Sequence, residues 1–397
     1  MVLKAFKLRL YPNKTQRNQI HVNFGCARFV WNQMLNMHIE RYKNNRKAKF
    51  QGRYSMDVML KALKIEYPWL KQAESTSLQR VNRDLDDAFQ RFFNPDLQNG
   101  FPRFKSKKNT NQSYTSKFVN NNIRIVDEHH IKLPKLGLVY FKAGRILNGK
   151  IRAVTVSVNS RKQYQAIILV ESENQTFKKT KKSVGIDLGL KSLAVISDGQ
   201  KEDILKVDDR LNKQLRIWER KKSRRYENAK KAMAFDEHDK VLFPRTDLKQ
   251  FLRYQQAVRN VAKLKKHIAE RRRDNLHKLT TRLVKDYDTI VVENLSVKNM
   301  MKNHHLSASI ANASWGTLIS QLKYKCAWYG KKLIIIDPKN TSRICHECKQ
   351  KNHEFDSLSQ SEWLATREWD CPNCHAHLDR DVNAAKNILA KGLETLS

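Results

Sequence analysis

The deciding stretch runs from Cys345 to Ile388. Two short pairs, Cys345-His-Glu-Cys348 and Cys371-Pro-Asn-Cys374, are followed by LDRDVNAAKNI at 378–388. Four thiolates in two C-x-x-C pairs suit a closed, tetrahedral Zn²⁺ site that stabilises rather than catalyses. The 22 residues between the pairs lie slightly beyond the usual ribbon interval. A redox role fits less well, because neither pair opens a helix after a strand. His346, His353, His375 and His377 are possible substitute ligands, most of them bystanders.

Asp381 stands seven residues past the last cysteine and opens a helical run in which Ala384 and Ala385 permit close approach to a sheet. A helix N-terminus favours an ionised carboxylate. Ordinary N-capping is the competing reading of Asp379 and Asp381, and for Asp379 it is the better one. Upstream, Asp187 in SVGIDLGLKSLAVI (183–196) and Glu293 in DTIVVENLSV (288–297) each end an apolar, strand-like run. A buried carboxylate is costly unless something neutralises it, and a metal ion does so. Asp187 alone could be structural; the same pattern repeated at Glu293 is harder to dismiss. Three carboxylates can hold two Mg²⁺ ions about 4 Å apart, one activating water and the other stabilising a departing 3′-oxygen. Neither a phosphate-binding P-loop nor a Ser-His-Asp arrangement is apparent, so the acids point to a metal-dependent nuclease.

The composition agrees. The chain has 397 residues, 40% of them hydrophobic, enough for two or three domains. Its 77 Lys and Arg against 39 Asp and Glu leave a net charge of +38, which repels itself unless a polyanion neutralises it. Nucleic acid is favoured over a membrane, because no run reaches the apolar length of a span. The N-terminus lacks a signal peptide's apolar core, and isolated Cys26 and Cys326 fit a reducing compartment, so an intracellular protein is expected.

Along the chain, Phe6, Leu8 and Leu10 alternate with charged residues as a strand ending at Pro12-Asn13. Helical spacing follows through about residue 42 and again from Leu78 to Phe92, stopping at Asn94-Pro95. Residues 13–112 therefore read as a helical module inserted after the first strand. In GFPRFKSKKNTNQSYTSKF (100–118), Arg103, Lys105, Lys107, Lys108 and Lys117 interleave with Tyr114 and three phenylalanines. That mixture suits single-stranded or structured RNA, or equally a polar loop whose aromatics anchor it to the core. Five short β-type runs from 121 to 171 suggest a small antiparallel barrel that the first strand could join. Residues 184–207 read as three strands. Residues 209–286 read as basic helix with a break near Phe243-Pro244, its second part spanning about 60 Å. There Arg271, Arg272, Arg273 and Lys278 could line a nucleic-acid channel or simply face solvent.

At these residues the chain closely resembles the TnpB family, transposon-encoded RNA-guided nucleases related to type V CRISPR effectors. The shared marks are RLYPNKTQ (9–16), ARFVWNQML (27–35), GFPRFKSK (100–107), GIDLGLKSLAV (185–195), VVENLSVKNM (291–300), SWGTLISQLKYKCAWYGKKL (314–333) and TSRICHEC…CPNC…LDRDVNAAKNI (341–388). The resemblance implies an α/β multidomain fold. A wedge β-barrel, its first strand at 1–12 and the rest at 113–180, would carry an inserted recognition domain at 13–112. An RNase H-like RuvC domain would follow at 181–341, interrupted by a zinc ribbon at 342–376 and completed by the helix at 377–397. It makes Asp187, Glu293 and Asp381 the Mg²⁺-binding catalytic acids. It further implies a guide RNA from the transposon end, double-stranded target DNA beside a short protein-read motif, and a monomer in the bacterial or archaeal cytoplasm at the nucleoid. Ser77, Gln79 and Asn82, with segment 113–122, are candidates for reading that motif. The chain departs from the family in two places. Lys349 and His375 stand where glycine often follows each cysteine pair, and AMAFDEHDKVLFPRTDLKQ (232–250) is longer and less uniformly basic than the usual helical hairpin. Competing readings are a nuclease-dead RNA-guided repressor, against which the intact acids argue, a guide-independent RuvC-like nuclease or resolvase, and a DDE-type transposase, which the ribbon fits poorly.

Overall fold

Alternation in the first ten residues builds strand β1 (Val2–Leu10), with Leu8 and Leu10 buried. Asn13 then starts α1 (Lys14–Asn44) through a capping box: its Oδ1 accepts from the Gln16 amide at 2.9 Å, and Gln16 Oε1 accepts from the Asn13 amide at 3.0 Å. Two further helices follow, α2 (Arg53–Glu66) and α3 (Ser75–Phe93), the latter ending at Asn94 before Pro95. The sequence did not announce α2, which buries only Met56, Leu60 and Leu63. This is the computed structural model of the chain. It describes residues 1–397 except 98, 110, 143, 145–146, 160, 175, 204–208, 232–247, 249, 304–306, 360–361, 363–364 and 396–397, and omits the side chains of 209, 298 and 308. The expected break at Phe243-Pro244 and most of the long 232–250 stretch lie outside the described residues.

The strands β2 (Gln112–Lys117), β3 (Arg124–Ile125), β4 (His130–Leu133), β5 (Gly137–Lys142), β6 (Lys150–Val158) and β7 (Tyr164–Ser172) join β1 in one antiparallel sheet. Its order is β2-β6-β7-β1-β5-β4-β3, with β1 paired to β7 from Val2↔Ser172 to Leu10↔Tyr164. The first strand does enter the sheet. The hydrogen-bonded order has β2 and β3 at its ends, and among the described residues no pairing joins them. The helices and this sheet share one apolar core within the unit Met1–Glu173.

The second unit, Asn174–Ser397, begins with β8 (Ser183–Asp187), β9 (Ser192–Ile196) and β10 (Lys201–Asp203). Then come α4 (Asp209–Lys231), α5 (Leu252–Asp286), β11 (Thr289–Glu293), α6 (Val297–Met300), α7 (Ser307–Ala313), α8 (Trp315–Tyr329) and β12 (Lys332–Ile336). A hairpin of β13 (Glu368–Asp370) and β14 (His377–Asp379) leads into α9 (Arg380–Glu394). The five-stranded sheet runs β10-β9-β8-β11-β12, with β8, β11 and β12 parallel and the β8-β9-β10 edge antiparallel. The central strands β9, β8 and β11 are buried along most of their length, which explains why their runs are apolar rather than alternating.

Helix α9 lies directly against this sheet, and two glycines make that possible. A Cβ on Gly185 would stand 2.1 Å from the Ala385 carbonyl oxygen, and one on Gly392 would stand 2.4 Å from Val291 Cγ1. Ala384 and Ala385 are fully buried at the same seam. Small residues on both sides bring the first turn of α9 to the strand ends. Among the described residues, no helix is long and apolar enough to cross a membrane.

Candidate functional site

The last residues of two adjacent parallel strands are acidic. Asp187 closes β8 and Glu293 closes β11, whose register pairs Val292 with Ile186 just before them. Ligands of open α/β sheets gather at the carboxyl ends of strands, which is where these side chains stand. Asp381, in the first turn of α9, is the third. The Asp187 carboxyl is pushed up to about 8, by burial first and then by the negative charges of Glu293 and Asp381, while Arg380 pulls it down. Three sequence-distant acids therefore share one electrostatic neighbourhood. Glu293, 5% exposed, is also raised by burial, against the hydrogen bond from Thr341.

Two of the three acids are held by other side chains. Glu293 Oε1 accepts from Thr341 Oγ1 at 2.5 Å. Asp381 Oδ1 accepts from Arg380 at 2.8 Å, and its Oδ2 accepts from Arg367 at 3.4 Å. Asp379 is the N-cap, accepting from the Asp381 and Val382 amides at 3.0 and 2.9 Å and from Lys201 at 2.5 Å. Capping thus belongs to Asp379, and the Asp381 carboxylate pairs with the two arginines instead.

The four cysteines form the only group of three or more His, Cys, Asp or Glu among the described residues whose ligand atoms all lie within 4.8 Å of one another. The three carboxylates do not draw that close. Like charges repel, and Asp381 is turned toward its two arginines. The sulfur pairs Cys345–Cys374 and Cys348–Cys371 stand 3.7 and 3.6 Å apart. Sulfurs about 2.3 Å from a tetrahedral Zn²⁺ would sit about 3.8 Å from one another, so the geometry fits that ion. The Cys348 thiol is held below its ordinary value, first by the Gln350 amide, while burial pushes the neighbouring Cys345 thiol up.

Both cysteine pairs make the same turn. Lys349 and His375 adopt φ of 63° and 58°, and their amides donate to Cys345 and Cys371 oxygens at 3.0 and 2.9 Å. Left-handed backbone explains why glycine is expected there. Phe355 packs edge-on against Trp369 at 5.1 Å under the knot. The first knuckle is tied to α9: Asn383 accepts from the His346 amide at 2.8 Å and donates to the Ile344 oxygen at 2.8 Å. Asn387 donates to the Thr341 and Ile344 oxygens at 2.9 and 2.6 Å. None of the three polar residues Thr341, Asn383 and Asn387 could be assigned a role from sequence alone, because a hydrogen bond to an ordered main-chain oxygen leaves no periodic trace.

The nucleic-acid candidates divide. Arg103, Lys105, Ser77 and Tyr114 line one cavity of about 480 Å³ with Arg28 and Arg80. Segment 103–105 is strapped across α1: Trp31 Nε1 donates to the Arg103 oxygen at 3.0 Å, Asn32 bonds both polar main-chain atoms of Lys105, and the Lys105 ammonium sits 3.6 Å over the Trp31 ring. Gln79, Arg103, Lys107 and Lys108 are exposed, and Lys117 is half-buried. Three assignments need correction as freely offered contacts. Ser77 and Tyr114 are buried, Tyr114 facing the core from β2, and Asn82 is buried with its amide donating to Asp57 at 2.7 Å. On α5, Arg271 and Arg273 are exposed, but Lys278 pairs with Asp274 at 2.8 Å. Arg272 is corrected too: it donates to the Ala311 oxygen and Asn312 Oδ1 at 3.2 and 2.7 Å and so anchors the segment after α7's start.

Comparison with known proteins supplies three family matches. The profile described as "Cas12f1-like, TNB domain" matches residues 315–388, and "Probable transposase" of the OrfB/IS605 group matches 167–304. A "Helix-turn-helix domain" of the same group matches 1–47, which the structure forms as β1 and the single helix α1. A Streptomyces pristinaespiralis protein named "Putative RNA-guided DNA endonuclease" is 32% identical over 99% of this chain and 90% of its own length. An Escherichia coli protein of the same description, InsQ, is 30% identical over 100% of this chain and 94% of its own. Among solved structures, one titled as a Cas12f1-sgRNA-target DNA complex superposes with a TM-score of 0.56 at 13% identity, covering 98% of both chains. That likeness concerns the fold.

Proposed function

The chain belongs to the TnpB family, the OrfB group of IS605-type transposons, and from that premise we propose that it is an RNA-guided DNA endonuclease. It binds a guide RNA derived from the transposon end and cleaves matching double-stranded DNA beside a short protein-read motif. The observation that carries the catalytic part is the raised Asp187 carboxyl, lifted by burial and by Glu293 and Asp381 together. A buried acid cluster of oxygen donors suits a hard divalent cation such as Mg²⁺. When bound, Mg²⁺ supplies an activated water and stabilises the departing 3′-oxygen. Asp187 and Glu293 would hold it at the strand ends. Asp381 would complete the site by leaving Arg380 and Arg367, which are then available to a phosphate.

Within this reading the five-stranded unit with α9 is the RuvC domain, residues 342–376 are a Zn²⁺-binding ribbon, and the seven-stranded sheet with its inserted helices is the wedge and recognition part. Arg28, Arg80, Arg103 and Lys105, gathered around one cavity, supply a cationic wall for nucleic-acid backbone. The test is Asp187→Ala in the complex with its copurified RNA. Loss of Mg²⁺-dependent cleavage with RNA retention intact is the expected result. Wild-type-like cutting would remove the acid assignment, and recovery of only random cellular RNA would favour a guide-independent nuclease.

A further inference from the structure

In the helical part of the first unit, the C-terminal ends of α1 and α3 wall an apolar cavity that shares no lining residue with the cationic cavity, the cysteine knot or the acid cluster. Its volume is about 730 Å³, within the roughly 300–1,000 Å³ of small-molecule sites in general. Phe50, Phe89, Phe92, Phe93 and Phe101 line it. Phe50 lies 4.9 Å from Phe89 and 5.4 Å from Phe93, and Phe92 meets Phe101 edge-on at 5.3 Å. Only Phe89 is fully buried: Phe92, Phe93 and Phe101 are 38, 53 and 45% exposed. A contiguous exposed aromatic patch marks a surface that something covers.

Two observations identify what covers it. His38 also lines the cavity and stacks on Phe50 at 5.0 Å, and although only 9% exposed its Nε2 has no hydrogen-bond partner among the described residues. Burial first, then Arg41, holds that imidazole's pKa below the ordinary value, so the ring is neutral and can accept or donate one hydrogen bond. The rim is cationic, with exposed Arg41, Lys43 and Lys49, of which Lys43 faces Glu40 at 3.0 Å. A second copy docking by twofold symmetry would set these cations against themselves, on top of +38 per chain. A nucleic-acid strand brings the opposite charge and a flat aromatic face together.

We propose that this cavity receives one or two unpaired bases of single-stranded nucleic acid, stacked against Phe93 and Phe101, with a base edge toward His38 and flanking phosphates on Arg41 and Lys49. Stacking of this kind is indifferent to base identity. The proposal rests on the nucleic-acid reading above and adds a binding site to it.

The test uses the full chain with its RNA, purified from cells fed 4-thiouridine and irradiated. A parallel arm adds single-stranded DNA carrying 4-thiothymidine. Cross-links at His38, Phe93 or Phe101, mapped by mass spectrometry, are expected in one arm, which says whether the base is RNA or DNA. The exposed pair Phe93→Ala with Phe101→Ala should lose that cross-link and weaken binding of a polyuridine or polythymidine oligonucleotide about 5- to 150-fold, the equivalent of about 1–3 kcal/mol per base. Phe93→Tyr should retain it. Lys49→Gln should flatten the salt dependence of affinity by about 0.7, which the aromatic variants leave alone. RNA copurification and cleavage with no cross-link in this cavity, and unchanged affinity in the aromatic variants, would overturn the site while the endonuclease reading stands. A dimeric complex that Phe93→Ala splits would likewise overturn it in favour of a protein interface. A chain that binds no nucleic acid at all would overturn both.

Discussion

Asp187→Asn should make the metal-free protein more stable and, at the same time, nearly deaf to Mg²⁺. In the folded chain the Asp187 carboxyl titrates at about 8, against an ordinary 3.8, with burial as the first cause and the charges of Glu293 and Asp381 next. Between those two values the folded state carries a proton that the unfolded state has lost. Stability then falls as pH rises, by about 1.4 kcal/mol per pH unit from this group, and levels off above the folded pKa. At pH 7 the accumulated cost is on the order of 4 kcal/mol, and an amide of the same shape does not incur it. Urea midpoints of the two proteins, taken from about pH 5 to about pH 8 in EDTA, should therefore diverge steadily. Taking the difference between the two proteins cancels the titration of the rest of the chain. Mg²⁺ binding displaces the proton, so adding it should lift the wild type and close the gap from below. A gap that stays constant with pH, or an equal Mg²⁺ response in both proteins, would refute the shared-acid geometry.

Four further outcomes follow from other contacts. Cys371→Ser should lower the zinc content of the purified protein and expose the 342–376 region to limited proteolysis, and unchanged zinc would refute the ribbon. Thr341→Val removes the hydroxyl that holds Glu293, so cleavage should fall by about tenfold with RNA retained, as for the loss of one hydrogen bond to a charged group, and Thr341→Ser should recover most of it. His375→Gly relieves a left-handed backbone position and should raise stability by about 1 kcal/mol, read as an upward shift in thermal midpoint at saturating zinc. Gly185→Ala should cost about 1–3 kcal/mol or more, because its methyl would meet the Ala385 oxygen, and an unchanged midpoint would mean that α9 does not seat where described.

What the sequence revealed and what it hid follow from range. Strands β1, β8 and β11 were legible because alternation or a short apolar run is a local record of burial. The boundary at Asn94-Pro95 and the start of α1 at Asn13 were legible because capping chemistry is confined to four residues. Asp187 and Glu293 stood out as acids ending apolar runs that leave little reason for one, and Asp381 stood out by its place just past the cysteine pairs. Helix α2 was hidden because its inward stripe is only three residues deep. Strand β2 was hidden for a different reason: QSYTSK has a polar face and only Tyr114 and Ser116 turned inward, so the run looked like a basic loop. Asn82 meets Asp57 and Tyr114 packs on Phe24, both far away in sequence, and composition alone could not separate buried Ser77, Asn82 and Tyr114 from exposed Gln79 or Arg103. The anchoring role of Arg272 depends on residues 311 and 312 and was equally out of local reach.

The placement of the cysteine knot now has a mechanical reason. Chain order inserts it between β12 and α9, so any looseness in the insertion would be passed to the helix that carries Asp381. The structure blocks that route twice. Asn383 and Asn387 clamp the main chain at Ile344, one residue before the first ligand cysteine, and Asn387 also holds the oxygen of Thr341. Thr341 in turn grips Glu293 at the end of β11. A four-thiolate site fixes both knuckles, the first knuckle fixes the asparagine face of α9, and Thr341 passes the same constraint to the neighbouring strand end. Loss of zinc should therefore reduce cleavage through displaced Glu293 and Asp381 even while β8 and β11 stay paired. Hydrogen exchange on a Cys371→Ser protein checks the order of events: amides at 380–388 should exchange faster, and those of 184–186 and 290–292 should not. Uniform loosening of all three segments would mean that the ribbon supports the whole sheet rather than the acids at its edge.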